Sequence, residues 1–171
     1  MEKRLFTVIV FIGIMLPFLS SCRINPSSTS YFSYQTECVN VELDGSQTVK
    51  AYGMGRGRVD AVEQAYKNAV RDIIFKGISS GSAECESRPL ILEVNAEEKY
   101  RSYFNAFFVD RIPAGRRMNY SYFVSMRDER FIYHVNRPVT QNRDQDVYSA
   151  IVRVQREALR QQLIKDGIIK Q

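Results

Sequence analysis

The sequence has few of the residues that most often bind metals or perform acid–base catalysis. It contains no tryptophan, one histidine and three cysteines among 171 residues. The histidine, His134, stands apart from the cysteines, so no cluster has the ligand spacing of a zinc site. The Ser79–Ser82 segment lacks the Gly-x-Ser-x-Gly elbow of many serine hydrolases. We therefore predict a protein that is not an enzyme and that uses no metal and no cofactor.

Long apolar runs are also scarce, and the one present lies at the N-terminus. Charged residues at positions 2–4 are followed by an almost wholly apolar stretch, Leu5–Phe18. This stretch is shorter than the roughly 20 residues that a membrane-spanning helix needs. A charged start followed by a short apolar run is typical of a signal peptide. A plain N-terminal membrane helix or a buried helix is the alternative.

The four residues after this run, Leu19-Ser20-Ser21-Cys22, resemble the bacterial lipobox. The resemblance implies that a diacylglyceryl group is transferred to the sulfur of Cys22, that the chain is cleaved before this residue, and that the new amine is acylated. Each buried methylene of such chains contributes about 0.8 kcal/mol to membrane binding. Arg23 follows where an aspartate would resemble an inner-membrane retention signal. We therefore expect an anchor in the outer membrane, on the periplasmic side.

The composition changes after Cys22 and suggests three parts. Residues 1–21 are predicted to be the signal peptide. Residues 22–36 are rich in Ser, Asn, Pro and Thr and lack apolar periodicity, as a flexible tether does. Residues 37–171 are predicted to form one globular domain, since hydrophobic and charged contents of 44% and 25% are ordinary for a folded protein.

Two cysteines, Cys38 and Cys85, remain in the predicted domain. An exported protein lies in an oxidising compartment, where a disulfide between them can form and persist. Two unbonded, buried thiols are the alternative, and the sequence does not decide between them.

The spacing of apolar residues predicts an α+β domain. We expect a mixed or antiparallel sheet with about three helices packed mainly on one face. Predicted strands are 37–42, 47–53, 89–94, 119–126, 131–135 and 148–154, with a polar turn at 127–130. Predicted helices are 60–76, closed by Gly77, an aromatic helix from the Asn95–Glu98 pair to Val109, and 157–166, closed by Gly167. Asp60 and Glu63 have the spacing of a capping box, and the aromatic stripe is interpreted as core.

The segment Val49–Val70 resembles part of a known family. It reads VKAYGMGRGRVDAVEQAYKNAV, a strand ending in Gly-x-Gly followed by a helix with spaced alanines, and Val152–Leu159 again leads from strand to helix. This pattern is similar to the small LPP-type bacterial lipoproteins and to the N-terminal domain of the flagellar H-ring assembly protein. The resemblance implies an α+β envelope module in an outer-membrane assembly, without catalytic residues. The aromatic helix around Tyr103 and the basic loop near Arg116 depart from it.

Two groups of arginines are candidates for contacts with anions or partners. Arg56 and Arg58 flank Gly57 between a strand and a helix, where backbone N–H groups can hold an anion. A tight turn that needs glycine is the alternative. Arg116 and Arg117 lie in a loop that can form a basic patch with the other arginines nearby, Arg111, Arg127 and Arg130. Scattered, solvated arginines are the alternative for this group.

These features predict a non-enzymatic, membrane-anchored envelope lipoprotein, an accessory or structural subunit of an outer-membrane assembly. The alternative is a binding module for an anionic small molecule, a lipid or a cell-wall glycan. The formal charge is +5, of which +4 lies in the predicted mature part, and this fits anionic surroundings; an ordinary soluble surface is the alternative. The expected partners are the membrane, through the N-terminal lipid, and an envelope protein. Export argues against nucleic acid as a partner.

Overall fold

A five-stranded mixed sheet is the centre of the structure, which is a computed structural model. It describes residues 35–110, 118–135 and 145–170, all within one compact unit. The strands are β1 (Glu37–Val41), β2 (Gln47–Gly55), β3 (Ser80–Gly81), β4 (Val124–Val135) and β5 (Gln145–Val154). Their order is β3-β1-β2-β5-β4, with β1 and β3 parallel and the other neighbours antiparallel. Cys22, Arg111, Arg116, Arg117 and the predicted signal peptide lie outside the described residues.

Four α-helices accompany the sheet within the described ranges. They are α1 (Arg58–Phe75), α2 (Ala96–Lys99), α3 (Arg101–Phe107) and α4 (Arg156–Lys165), and a 3₁₀ helix spans Tyr120–Phe123. The predicted α+β single-domain class is therefore confirmed. The aromatic helix is divided in two at Tyr100, so the structure has four helices instead of about three. No helix in the described ranges has the length and apolarity that crossing a membrane requires.

Helix α1 packs against β2 and β5 because one side of the helix and one face of these two strands are apolar. Val49 and Ala51 of β2 face Val152 and Ala150 of β5, and all four side chains are buried. The apolar stripe of α1 covers these four residues, and Ala65 in this stripe is fully buried. Helix α1 ends at Phe75, and Gly77 closes it as predicted, with φ of +76° and a backbone N–H that donates to the carbonyl of Asp72.

The aromatic residues form one continuous part of the core, as the sequence indicated. The rings of Phe75 and Phe104 meet edge to face at 4.7 Å between centroids. Phe107 continues the cluster towards Phe108 and Phe123, and these rings are almost wholly buried. Five side chains of this kind bury enough area to join α1, α3 and the 3₁₀ helix into one core.

Several predicted details of the helices are wrong. Helix α1 begins at Arg58, with Gly57 as its N-cap and no capping side chain, so Asp60 lies inside the first turn and forms no capping box. Asn95 adopts a left-handed conformation, with φ of +60°, and its side chain does not cap α2. Asp72 of α1 is buried although it carries a carboxylate, and it accepts a hydrogen bond from Thr36. Thr36 is therefore part of the domain and not of a flexible tether.

The strand predicted at 89–94 is absent from the sheet. The backbone N–H groups of Leu90 and Ile91 donate to the carbonyls of Ile73 and Ile74 in the last turn of α1. A helix leaves its last carbonyls without internal partners. This segment supplies donors for two of them, so its apolar residues serve the helix end and not a strand pair.

The hairpin predicted at 119–135 is also wrong. Residues 120–123 form the 3₁₀ helix, which Asn119 begins by accepting a hydrogen bond from the N–H of Ser121. Strand β4 then continues through 127–130, where a polar turn was predicted. The charges there are paired: Arg127 contacts Glu42 and Glu129 contacts Arg58. Because these charges are paired, residues 127–130 can continue the edge strand β4 instead of forming a turn.

Candidate functional site

A disulfide between Cys38 and Cys85 fixes a loop against the edge of the sheet. Cys38 lies in β1 and Cys85 follows β3, with their Cα atoms 5.8 Å apart. The N–H of Ser82 also donates to the carbonyl of Cys38 at 3.0 Å. Because β3 covers only the first part of β1, the loop takes over where the strand pairing ends.

This loop forms one wall of a groove of about 1090 Å³. The β1–β2 hairpin, through Val41 and Gln47, forms the second wall, and the first turns of α4, through Arg156 and Arg160, form the third. Ligand sites in proteins are clefts of about 300–1,000 Å³ with a few convergent polar groups. The groove is slightly larger than this range and is the candidate site; nothing in the sequence pattern alone indicated the groove.

Gln47 is the most unusual residue of the groove. It begins β2 opposite Val154 of β5, and its alternation with Val49 and Ala51 turns it to the apolar, helix-covered face. The residue is only 2% exposed, and its Oε1 has no hydrogen-bond partner among the described residues. A buried polar group without a partner costs about 1–3 kcal/mol. A polar residue at an inward position of a strand is the sequence signal that could have identified it.

Arg156 contributes a cation to the same groove, at the first position of α4. Its Nη2 donates to the carbonyl of Arg88 at 2.7 Å, while its Nε is buried without a partner among the described residues. Burial lowers the pKa of Arg156, and the charges of Glu86 and Glu157 partly oppose this. A helix N-terminus carries partial positive charge, so a cation there is unfavourable, and Glu157 in the first turn of α4 offsets this in part.

The predicted anion cradle at the glycine turn serves helix packing. A Cβ on Gly53 would lie 2.0 Å from the carbonyl oxygen of Ala61, and one on Gly55 would lie 2.4 Å from the N of Ala61. These glycines let α1 cross directly over β2. Arg58 forms an ion pair with Glu129, and Arg56 is exposed with no ion-pair partner in the described part of the chain. The two arginines are thus not brought together around one anion.

The arginines of β4 do not form a free basic patch either. Arg127 pairs with Glu42 at 3.1 Å, and Arg130 lies 3.6 Å from Asp128. The Nε of Arg153 lies 2.9 Å from Glu42, an ion pair whose angle is too poor for a hydrogen bond. The carboxylates therefore neutralise these arginines on the sheet face opposite α1.

His134, which stands alone in the sequence, has a carboxylate partner in the fold. Its Nδ1 lies 2.6 Å from Oδ1 of Asp146, its register partner on β5. The pair is partly exposed, with 44% of the histidine side chain accessible. Among the described residues, no group of three or more His, Cys, Asp or Glu side chains could hold a metal ion.

Comparison with known proteins identifies no relative of this chain. No protein-family model, no curated protein and no solved structure matches the chain significantly.

Proposed function

We propose that the protein is a non-enzymatic lipoprotein of the bacterial envelope. Lipid on Cys22 anchors it in the outer membrane, facing the periplasm, where it serves as an accessory or structural subunit of an assembly. The observation that carries this proposal is the order of the N-terminal residues: a charged start, a short apolar run and Leu19-Ser20-Ser21-Cys22. Three acyl chains on one cysteine make the attachment stable.

The Cys38–Cys85 bond supports export. Disulfides persist in oxidising compartments such as the periplasm and are rare in the cytosol. The bond joins β1 to a loop 47 residues further along the chain, so it is built into the sheet edge. An exported domain with this bond retains it in the compartment that the N-terminus predicts.

The outer edge of β4 supports a docking role. β4 is the last strand of the sheet, so one side of its backbone has no neighbouring strand among the described residues. Met126, Phe131 and Ile132 on this strand are 50%, 54% and 38% exposed. Edge strands of this kind can accept an extended segment of a partner protein. The paired charges between these apolar residues would favour a partner of mixed polarity.

The groove favours a second candidate function, a binding module for an anionic small molecule or glycan. Gln47 and Arg156 both line it, and each has a buried atom that no described residue satisfies. Groups that the fold leaves unpaired at a concave surface are typical of binding sites. The two functions are compatible, because the groove and β4 lie at different parts of the sheet.

The anchor and the subunit role can be tested together by replacing Cys22 with Ala in the native cells. We expect the wild-type protein in the membrane fraction, with a triacylated N-terminal cysteine by mass spectrometry and a stoichiometric partner after cross-linking in detergent. Cys22→Ala should lose the acyl mass and the processing before residue 22. Ser27→Ala, in the predicted tether, is the matched control and should behave as wild type. An unacylated wild-type chain beginning at Met1 would refute the proposal.

A further inference from the structure

We propose that the groove between the β1–β2 hairpin, the disulfide loop and α4 binds a sugar acid, which combines one carboxylate with several hydroxyl groups. The inference deepens the second candidate function and rests on it, and it is independent of lipid on Cys22. The carboxylate is recognised by Arg156 and the first turn of α4, and a hydroxyl is recognised by Gln47.

The carboxylate site is formed by two kinds of donor. Helix α4 has ten residues, and its first internal hydrogen bond runs from the N–H of Leu159 to the carbonyl of Gln155. The N–H groups before Leu159 thus point out of the helix end, where an anion is favoured. The guanidinium of Arg156 stands at the same end and can bind a carboxylate with two parallel hydrogen bonds.

The hydroxyl site follows from the two unpaired atoms. Oε1 of Gln47 is an acceptor and Nε of Arg156 is a donor, and both are buried at the groove without partners in the described part of the chain. A hydroxyl group both donates and accepts hydrogen bonds, so a ligand with several hydroxyl groups can supply a donor for Oε1 of Gln47 and an acceptor for Nε of Arg156. The Arg156 side chain must rotate away from the Arg88 carbonyl to admit it, and such rotamer changes are common on binding.

The remaining lining explains why a singly charged sugar fits better than a polyanion. Three arginines and three glutamates line the groove, so its formal charge is zero: Arg88, Arg156, Arg160, Glu84, Glu86 and Glu157. The glutamates would repel a second anionic group. Val41, Leu92 and Ile169 offer apolar surface to the C–H face of a sugar ring.

Titration of the mature acylated protein, from Cys22 onwards, in detergent micelles tests this inference, with glucuronic acid, glucose and acetate as probes. We expect glucuronic acid to bind with a Kd near or below 1 mM. Glucose lacks the carboxylate and acetate lacks the hydroxyl groups, so each should bind at least tenfold more weakly. The side-chain ¹H–¹⁵N resonances of Gln47 and Arg156 should shift on addition of glucuronic acid. Equal binding of glucuronic acid and acetate, or shifts confined to other residues, would overturn the proposal.

Variants separate the two parts of the site. Arg156→Gln should weaken glucuronic acid binding at least tenfold, and Gln47→Met should remove the preference over acetate. Arg101→Gln, an exposed substitution on α3, is the matched control and should leave binding unchanged. If Gln47→Met does not fold, the resonance shifts of the wild-type protein still show whether the ligand contacts Gln47 and Arg156. Failure here leaves acylation of Cys22 intact, whereas binding of the sugar acid away from these residues would retain the binding function and refute only its location.

Discussion

Tyr120 shows how one buried side chain couples this fold to pH. The residue is 2% exposed, and its hydroxyl donates to Oδ1 of Asp110 at 3.2 Å. Burial, followed by the negative charge of Asp110, raises the pKa of Tyr120 far above its ordinary value of about 10. The folded state thus holds the phenol proton more tightly than the unfolded state. This contribution to stability is complete below about pH 10 and is lost as the pH rises further.

Replacing Tyr120 with Phe should therefore reduce the loss of stability at alkaline pH. We expect the free energy of unfolding of the wild type, measured in urea from pH 7 to 11.5, to fall above about pH 10. In Tyr120→Phe the free energy of unfolding should fall less steeply above this pH. At pH 7 it should be about 1 kcal/mol lower than in the wild type, because the hydrogen bond is lost. Tyr122→Phe is the control, since Tyr122 is 60% exposed and should follow the wild type. Coincident pH curves for Tyr120→Phe and wild type would contradict this account.

The contact between α1 and β2 depends on glycine at two positions of the strand. In Gly53→Ala, the new Cβ would lie 2.0 Å from the carbonyl oxygen of Ala61, and backbone atoms cannot move aside cheaply. We expect a loss of about 2 kcal/mol or more in the free energy of unfolding, as in severe overpacking. Gly57→Ala is the control, because a Cβ there meets no described residue within 4 Å and φ is −177°. It should cost less than about 1 kcal/mol in urea denaturation. Equal losses for the two variants would refute the packing role.

Elements with a clear period could be predicted from the sequence, and those defined by distant partners could not. The apolar stripe of α1 and its end at Gly77 follow from local spacing. Strand β4 was divided in error because its central charges resemble a turn, and only Glu42 and Arg58 explain why they stay in the strand. The segment 89–94 has the composition of a strand, yet the carbonyls at the end of α1 take its N–H groups.

The candidate groove illustrates the same limit at the scale of the whole molecule. Gln47 and Arg156 are far apart in sequence and line one groove because β2 pairs with β5 and α4 follows β5 directly. The loop wall depends on the bond between Cys38 and Cys85, which the sequence left undecided. A site assembled from a hairpin, a loop and a helix end has no local signature, so only the fold reveals it.

The disulfide should therefore influence both the stability of the domain and the groove. Cross-linking across 47 residues removes chain entropy from the unfolded state, which the loop-closure relation places at about 4 kcal/mol. We expect Cys38→Ser/Cys85→Ser to lose roughly this amount in urea denaturation of the full chain in micelles, and to bind glucuronic acid more weakly because the loop wall is released. Wild type treated with dithiothreitol should match the double variant, whereas dithiothreitol should not affect the variant itself. An unchanged unfolding midpoint in the variant would show that hydrogen bonds such as Ser82 to Cys38 hold the loop without the bond.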